Sequence, residues 1–202
     1  MMLKLHKRLL NLNHQENHMN VIAFYGSPRK NGNTYLLVRR CLNKIESEGI
    51  ATELIHVSAD DIKPCRGCNY CRKAGVERCA ITDDKLNEWF EKICQADGII
   101  FGSPTYLWGP HPAIKSLIDR ACYLARGTLR AGGNQCVLKN KVGAAIAVDA
   151  YTGNVQTVQA MQVMFMVTQM IVPGAAIVVL VSAFNLMGDA LRDVLDPKEV
   201  ER

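Results

Sequence analysis

The chain has 202 residues, of which 49% are hydrophobic and 21% charged, so it can bury the core of one folded domain and is not expected to be disordered. Its net charge of +5 comes without a Lys/Arg block interleaved with aromatic residues, which gives nucleic-acid binding little support. Eight cysteines in a chain of this length do not form a small secreted disulfide scaffold. With no apolar signal core near the N-terminus, we expect a reducing, cytoplasmic location.

The first eighteen residues are predicted to be an appendage rather than part of the folded domain. Residues 1–18 carry a weak helical pattern and then become polar. From Met19 onward a short apolar run leads into a glycine-rich turn, which is typical of the start of a domain. We therefore expect Met19 to be the natural start and residues 1–18 to be a disordered or spurious extension.

Apolar strands and amphipathic helices alternate from residue 21 onward. Strands are predicted at Val21–Tyr25, Ala51–Val57, Gly98–Gly102 and Val142–Val148, and helices at Thr34–Glu48, Asp84–Ile93, Pro112–Leu124 and Thr157–Val167. This alternation indicates an α/β fold, a doubly wound parallel sheet with helices on both faces. Ligands of such sheets bind beyond the carboxyl ends of the strands. The segments after the first, third and fourth strands are therefore the candidate site. On two of the helices, Cys41 and Cys94 occupy apolar positions and are expected to be buried.

The segment GSPRKNGNT, residues 26–34, has the composition of an anion-binding loop. Its glycines admit backbone conformations that a Cβ would penalise, and the following helix directs free N–H groups at the same place. The residues predicted to bind the anion are Ser27, Arg29, Asn31, Gly32, Asn33 and Thr34. Because the loop lacks the endings of nucleoside-triphosphate and dinucleotide loops, a terminal monophosphate is the predicted ligand. The alternative is a plain turn capped by Thr34.

This loop resembles the FMN-phosphate loop of the flavodoxin-like NAD(P)H-dependent FMN reductases. A second segment, GSPTYLWGPHPAIKSLIDR at residues 102–120, resembles the part of that family that runs along the flavin ring. The resemblance implies a flavodoxin-like sheet of strand order 2-1-3-4-5 with FMN as cofactor. The residues implied to line the ring are Pro104, Thr105, Tyr106, Leu107, Trp108 and Gly109, with Asp149, Tyr151 and Gly153 from a third, less glycine-rich loop. For Tyr106 and Trp108, packing as a lid over the sheet edge is the alternative.

The segment CRGCNYCRKAGVERC, residues 65–79, concentrates four of the eight cysteines. Cys65, Cys68 and Cys71 are separated by two residues each, and Cys79 follows after seven more, so a short stretch of chain can surround one metal centre. A compact run of three favours a ferredoxin-like cluster, because structural zinc usually takes two separated pairs. Zinc, cysteines without a stable cluster, and disulfides stay open as alternatives.

The same cysteine run, within a chain of flavin-reductase character, resembles the iron–sulfur flavoproteins, a branch of that family. The resemblance covers about residues 19–173 and implies a [4Fe–4S] cluster beside FMN. It implies that a donor such as ferredoxin reduces the cluster, the cluster reduces FMN, and FMN reduces a small acceptor, so that the cofactors carry the chemistry. A homodimer or homotetramer with the cysteine loop, residues 63–84, near a subunit contact is also implied.

Two other functions stay open. One is an NAD(P)H-dependent FMN or quinone reductase without a cluster, in which the cysteines are structural or bind zinc. The other is an inactive or membrane-associated fusion product. Among the remaining polar residues, His56 and His111 are expected to be structural, and Asp83 and Asp84 are expected to cap the following helix rather than bind metal.

The C-terminal segment breaks the pattern. Residues 161–188 contain no charged residue, and residues 173–202 resemble the end of dipeptide/oligopeptide ABC transporter permeases. A membrane span is one interpretation, but polar and helix-breaking residues interrupt the run, and a fifth buried strand at Ile171–Val181 is preferred. We expect one domain over residues 19–173, followed by an atypical segment, 174–202, from a fusion, a frameshift or an assembly error.

Overall fold

The predicted alternation of strands and helices forms a single sheet in the computed structural model, which describes residues 19–74, 77–130 and 135–173. The strands are β1 (Asn20–Tyr25), β2 (Ala51–His56), β3 (Gly98–Tyr106), β4 (Gly109–Pro110) and β5 (Val142–Val148). The helices are α1 (Asn33–Ser47), α2 (Tyr70–Ala74), α3 (Leu86–Gln95), α4 (Pro112–Ala125), α5 (Gly127–Arg130) and α6 (Asn154–Val167). The elements β4, α2 and α5 had no prediction, because each is too short to show hydrophobic periodicity.

The sheet has the predicted doubly wound topology. Parallel pairing joins β1 to β2 on one side and to β3 on the other, and β5 pairs in parallel with β3, which gives the order β2-β1-β3-β5. The predicted fourth strand is therefore β5, while β4 folds back antiparallel on the end of β3. Beyond β5, Ile171 forms a parallel bridge with Val142, as the first residue of the predicted fifth strand would.

Helices cover both faces of this sheet. On one face α3, α4 and α6 pack over a core in which the rings of Phe101 and Phe165 stack with their centroids 5.4 Å apart. On the other face Val38 and Leu42 of α1 are buried against Ile100 and its neighbours. Full burial of such side chains stabilises the fold by about 1.5–3 kcal/mol each. The core thereby holds the strand ends, and the loops that follow them, in place.

Two predicted features fall partly or wholly outside this description. Residues 1–18 and 174–202 lie outside the described residues, and so does most of the segment proposed as a fifth strand or membrane span. Within the described ranges, no helix is both long and apolar enough to cross a bilayer.

The predicted burial of the two scattered cysteines is wrong for one of them. Cys41 is exposed on α1, because its neighbours Val38 and Leu42 already form the narrow stripe that faces the sheet. Cys94 on α3 is half-buried. Burial, reinforced by the charge of Glu77, raises the pKa of the Cys94 thiol to about 12, so this cysteine stays protonated and unreactive at neutral pH.

Candidate functional site

The three predicted loops meet at one edge of the sheet. They are the phosphate loop (residues 26–34) after β1, the ring loop (residues 103–111), which includes the last residues of β3, and the third loop (residues 149–155) after β5. Because these strands are parallel neighbours, their carboxyl ends lie side by side, and the Gly26 amide donates to the Gly102 carbonyl at 2.9 Å. The topology therefore assembles the segments that the sequence singled out.

The phosphate loop is folded by its own hydrogen bonds. Ser27 is buried, and its Oγ accepts a hydrogen bond from the Arg29 amide at 3.2 Å. The Gly32 amide donates to the Arg29 carbonyl at 3.2 Å, which turns the chain into α1. The side chains of Arg29, Asn31 and Asn33 stay exposed around this turn and are accessible to an anion.

Helix α1 begins without a side-chain cap. Its N-cap residue is Gly32, and no side chain bonds to the first-turn amides within the described residues. Thr34 lies inside α1 and is buried, so the alternative of a turn capped by Thr34 is wrong. Uncapped amides at the positive end of a helix form a ready anion site.

His56 packs against the phosphate loop and hydrogen-bonds to its backbone. Its Nε2 donates to the Ser27 carbonyl at 2.6 Å, and its ring stacks on Tyr25 with centroids 4.4 Å apart and planes 5° from parallel. These contacts agree with the structural role predicted for His56.

The ring loop is a hairpin that projects apolar side chains. Strand β3 continues four residues beyond its predicted end, because Thr105 and Tyr106 pair with β4. The turn holds Leu107 and Trp108 at φ values of 44° and 60°. Tyr106 is 46% exposed, Trp108 59% and Leu107 96%, so large apolar surfaces are concentrated where a flavin ring is expected to bind.

The third loop supports the ring loop through a glycine. Gly153 has a φ of 101°, and a Cβ on it would lie 2.1 Å from Cδ1 of Trp108 and 3.0 Å from Cγ2 of Thr105. Trp108 thus packs on Gly153 while most of its surface stays exposed. Asp149 accepts a hydrogen bond from the Asn154 amide at 2.9 Å at the start of α6, and Tyr151 is 83% exposed.

Two features of this edge fit FMN. The uncapped start of α1 suits a terminal phosphate. Next to the predicted ring position, the Thr105 Oγ1 is buried and has no hydrogen-bond partner among the described residues. A buried hydroxyl without a partner is unfavourable, and a polar group of a flavin can supply the missing hydrogen bond.

His111 closes the ring loop. It is the N-cap of α4, where its Nδ1 accepts from the Ala113 amide at 3.3 Å, and its own amide donates to the Ser103 Oγ at 2.8 Å. Burial lowers the pKa of His111, so the imidazole stays neutral and keeps this acceptor role. The predicted structural role of His111 agrees with these contacts.

The four clustered cysteines line one cavity, termed the cysteine cavity, of about 480 Å³ between the cysteine loop and the last turns of α4. Each two-residue gap contains one left-handed residue, Gly67 at φ 66° and Asn69 at φ 57°, and a position of this kind favours glycine or asparagine. These positions turn the chain after each cysteine. Cys65 and Cys68 are exposed, whereas Cys71 and Cys79 are half-buried.

The side chains of the four clustered cysteines are not arranged as ligands of one metal ion. No three Cys, His, Asp or Glu residues of the described ranges form a group that could hold one. Burial raises the pKa of the Cys71 thiol, and the nearby Cys79, Cys65 and Cys68 add to the effect, so each of these three lies within electrostatic reach of Cys71. Ligation of one centre would therefore need the exposed cysteines to close over the cavity.

Asn87 fixes the fourth cysteine. Its Oδ1 accepts from the Cys79 amide at 2.7 Å, and its Nδ2 donates to the carbonyls of Cys79 and Ile81 at 3.2 and 3.0 Å. This role was not predicted, because an asparagine in the first turn of a helix has no pattern that links it to a cysteine eight positions earlier.

A buried ion pair lies at the floor of the cavity. The side chains of Arg120 of α4 and of Asp84 are each 1% exposed and are hydrogen-bonded to each other. Asp84 also accepts from the Leu86 amide at 3.2 Å, one position before the N-cap Lys85 of α3, so the predicted capping holds only as a bond from the preceding residue, whereas Asp83 pairs with Lys63. Burial alone would raise the pKa of Asp84, but the hydrogen bonds from Arg120 and the backbone lower it.

Comparisons with known proteins agree with this architecture. Residues 19–185 match the NADPH-dependent FMN reductase family. An iron–sulfur flavoprotein of Methanocaldococcus jannaschii is 44% identical over 158 residues, 77% of this chain and 76% of the relative. An iron–sulfur flavoprotein of Methanosarcina thermophila is 35% identical over 159 residues, 77% of this chain and 78% of the relative. A flavodoxin from the Archaea superposes with a TM-score of 0.51 at 17% identity over 78% of this chain and 80% of the flavodoxin.

The fold and the three-loop edge define a flavodoxin-like protein. The chain belongs to the NADPH-dependent FMN reductase family, in its iron–sulfur flavoprotein branch. It is accordingly a flavin-dependent oxidoreductase, as the resemblance predicted.

Proposed function

We propose that this oxidoreductase binds FMN at the three-loop edge and a [4Fe–4S] cluster in the cysteine cavity. Electrons from a one-electron donor such as ferredoxin pass through the cluster and FMN to a small acceptor. A cluster exchanges one electron at a time, whereas a flavin exchanges one or two. The observation that carries the proposal is the position of Cys65, Cys68, Cys71 and Cys79 around one cavity.

The flavin half of the proposal rests on this chain's own residues. The amides of α1 and the Arg29 guanidinium would bind the phosphate, since both offer positive charge at the same turn. The ring would lie against Tyr106 and Trp108, which are exposed and held by the hairpin turn and by Gly153. Asp149, Tyr151 and the ring-loop backbone stay predicted contacts of the ring.

The cluster half rests on the cavity and the charges around it. Four basic residues of the cysteine loop, Arg66, Arg72, Lys73 and Arg78, are exposed near the predicted ligands, and the buried Arg120 lines the same cavity. Positive charges of this kind offset the negative charge of a thiolate-ligated cluster. The same exposed charges would attract an acidic protein donor.

A second candidate is an NAD(P)H-dependent FMN or quinone reductase in which the cysteines are structural or bind zinc. The observation that favours its structural-cysteine version is that no three potential ligands of the described ranges are grouped for metal binding; zinc would need the same rearrangement of the cysteines as a cluster. This candidate predicts oxidation of NAD(P)H without any iron in the protein.

Anaerobic reconstitution of the full chain with FMN, iron and sulfide tests the two candidates against each other. We expect flavin absorbance together with a broad band in the blue that reduced ferredoxin bleaches. A Cys68→Ser, Cys71→Ser variant is expected to lose the iron and keep the flavin, while Cys41→Ser, on the other face of the sheet, keeps both. Retention of FMN with zinc or no metal, and turnover with NAD(P)H alone, would contradict the cluster and favour the second candidate.

A further inference from the structure

The buried guanidinium of Arg120 has one donor to spare. An arginine carries five N–H donors, and four of them are engaged here. Nη1 donates to the Lys63 carbonyl at 3.0 Å and to Asp84, and Nη2 donates to the Ile81 carbonyl at 3.3 Å and to Asp84 at 3.2 Å. The fifth donor, Nε–H, has no hydrogen bond of normal geometry to any residue that the structure describes.

The residue that carries this unpaired donor lines the cysteine cavity. Arg120 lines the cavity together with Cys79. Burial alone would lower the pKa of Arg120, but the interaction with Asp84 outweighs burial and raises it, with a further contribution from Cys79 on the same cavity wall. A buried N–H without an acceptor is unfavourable. A cysteine sulfur that carries more negative charge than a thiol, and that lies within hydrogen-bond distance, would accept from this N–H.

A role in holding the backbone together explains only four of the five N–H donors of Arg120. The bonds to Asp84, Lys63 and Ile81 tie α4 to both ends of the cysteine loop. All of these bonds come from the two Nη atoms, so the architecture does not account for the buried Nε–H of an arginine that lines the same cavity as Cys79.

We propose, on the basis of the proposed function, that the Arg120 Nε–H donates to the Cys79 sulfur when that sulfur ligates the cluster, and thereby raises the cluster's reduction potential. Reduction adds one electron from the donor without making or breaking a bond, and it increases the negative charge on the sulfurs. A charge-assisted N–H···S bond therefore stabilises the reduced cluster more than the oxidised one. Arg120 acts through Cys79 and is a positioning residue, while the nearby Asp84 carboxylate opposes reduction.

The test compares Arg120→Lys with Asp84→Asn in reconstituted full-length protein. Both variants weaken the ion pair and should lower Tm. Arg120→Lys should lower the equilibrium constant for one-electron reduction of the cluster about tenfold. This corresponds to a midpoint potential about 59 mV lower. Asp84→Asn keeps the Nε donor and removes a negative charge, so its midpoint should be unchanged or higher. Equal midpoints in Arg120→Lys and the parent, or a fall in both variants, would overturn the inference.

A second measurement needs no change at the ion pair. The three exposed arginines of the cysteine loop are replaced by lysine (Arg66→Lys, Arg72→Lys, Arg78→Lys), and the protein is labelled with ¹⁵N-arginine. Pulsed EPR of the reduced cluster should then show one ¹⁵N coupling, from Arg120, and its absence would refute the hydrogen bond even if both ion-pair variants failed to fold. If the unsubstituted protein takes up no iron, the proposed function itself fails; if it does and these readouts stay silent, only this inference fails.

Discussion

At the scale of single residues, the candidate cluster site depends on side chains that are not themselves ligands. Asn87 makes three hydrogen bonds to the segment that carries Cys79, and Arg120 closes the floor of the cavity with Asp84. Each of these hydrogen bonds has a backbone group or a buried charge as its partner. Asn87 and Arg120 therefore position the segment that carries Cys79 without needing a metal. Such outer contacts usually matter nearly as much as the ligands.

Asn87→Ala should weaken iron retention by about 10–100-fold, the usual effect of removing an outer contact of a ligand. The physical reason is that the Cys79 and Ile81 backbone loses three hydrogen bonds and the fourth sulfur loses its fixed position. The measurement is iron per chain against a competing chelator, with Glu88→Ala on the exposed side of α3 as the control. Unchanged iron retention in Asn87→Ala would show that the cysteine loop holds its shape without this residue.

At the scale of elements, the flavin edge is built from turns that depend on one another. The hairpin of β3 and β4 presents Tyr106 and Trp108, and the turn before α6 supplies the flat surface of Gly153 on which Trp108 lies. Trp108 itself is held in a left-handed conformation at φ 60°. Such a conformation costs a non-glycine residue about 1–2 kcal/mol, and packing on the third loop offsets the cost.

Gly153→Ala should therefore lower FMN affinity as well as stability. The new methyl group would meet Cδ1 of Trp108 at 2.1 Å and push the ring loop away from the sheet edge. Gly49→Ala is the matched control: its φ of 79° imposes similar strain, but nothing lies within 4 Å of the added Cβ. We expect both variants to lose about 1–2 kcal/mol of stability through backbone strain, Gly153→Ala to lose more because of the clash, and only Gly153→Ala to lose FMN affinity, measured by flavin fluorescence. Equal FMN affinities would mean that Trp108 is not part of the flavin site.

At the scale of the whole molecule, helix α4 connects the two candidate cofactor sites. Its N-cap His111 closes the ring loop, and its last turns, with Arg120 and Tyr123, line the cysteine cavity. At 1.5 Å per residue, His111 and Arg120 are roughly 14 Å apart along the helix axis. That the two cofactors lie close enough to exchange electrons, and that copies of the chain associate near the cysteine loop, both stay predictions.

The charge distribution predicts how an acidic protein donor would approach. Replacing Arg66, Arg72 and Lys73 with glutamine should lower the rate of cluster reduction by ferredoxin by about tenfold at low salt, because electrostatic steering is lost. The difference should shrink as salt is added. The control replaces Arg39, Arg40 and Lys44 on α1, which covers the opposite face of the sheet. Equal rates in both triple variants would favour a small-molecule donor.

The sequence alone determined the type and order of the main elements and the edge of the sheet where the candidate site lies. Hydrophobic periodicity is local, and in a parallel sheet the ends of neighbouring strands must meet, so residue order was enough to recognise the three loops and the cysteine run. Element ends were less accurate: β3 runs to Tyr106 because β4 pairs with it, and such pairing leaves no periodic signal.

Only the tertiary structure decided which other side chains contact the residues of that candidate site. The pairing of Arg120 with Asp84 joins residues 36 positions apart, Asn87 reaches back to Cys79, and Trp108 packs on Gly153 from another loop. None of these contacts can be predicted from the local spacing of residues in the sequence. Each arises because the sheet brings distant segments together, and buried polar groups there must find partners or remain unfavourably unpaired.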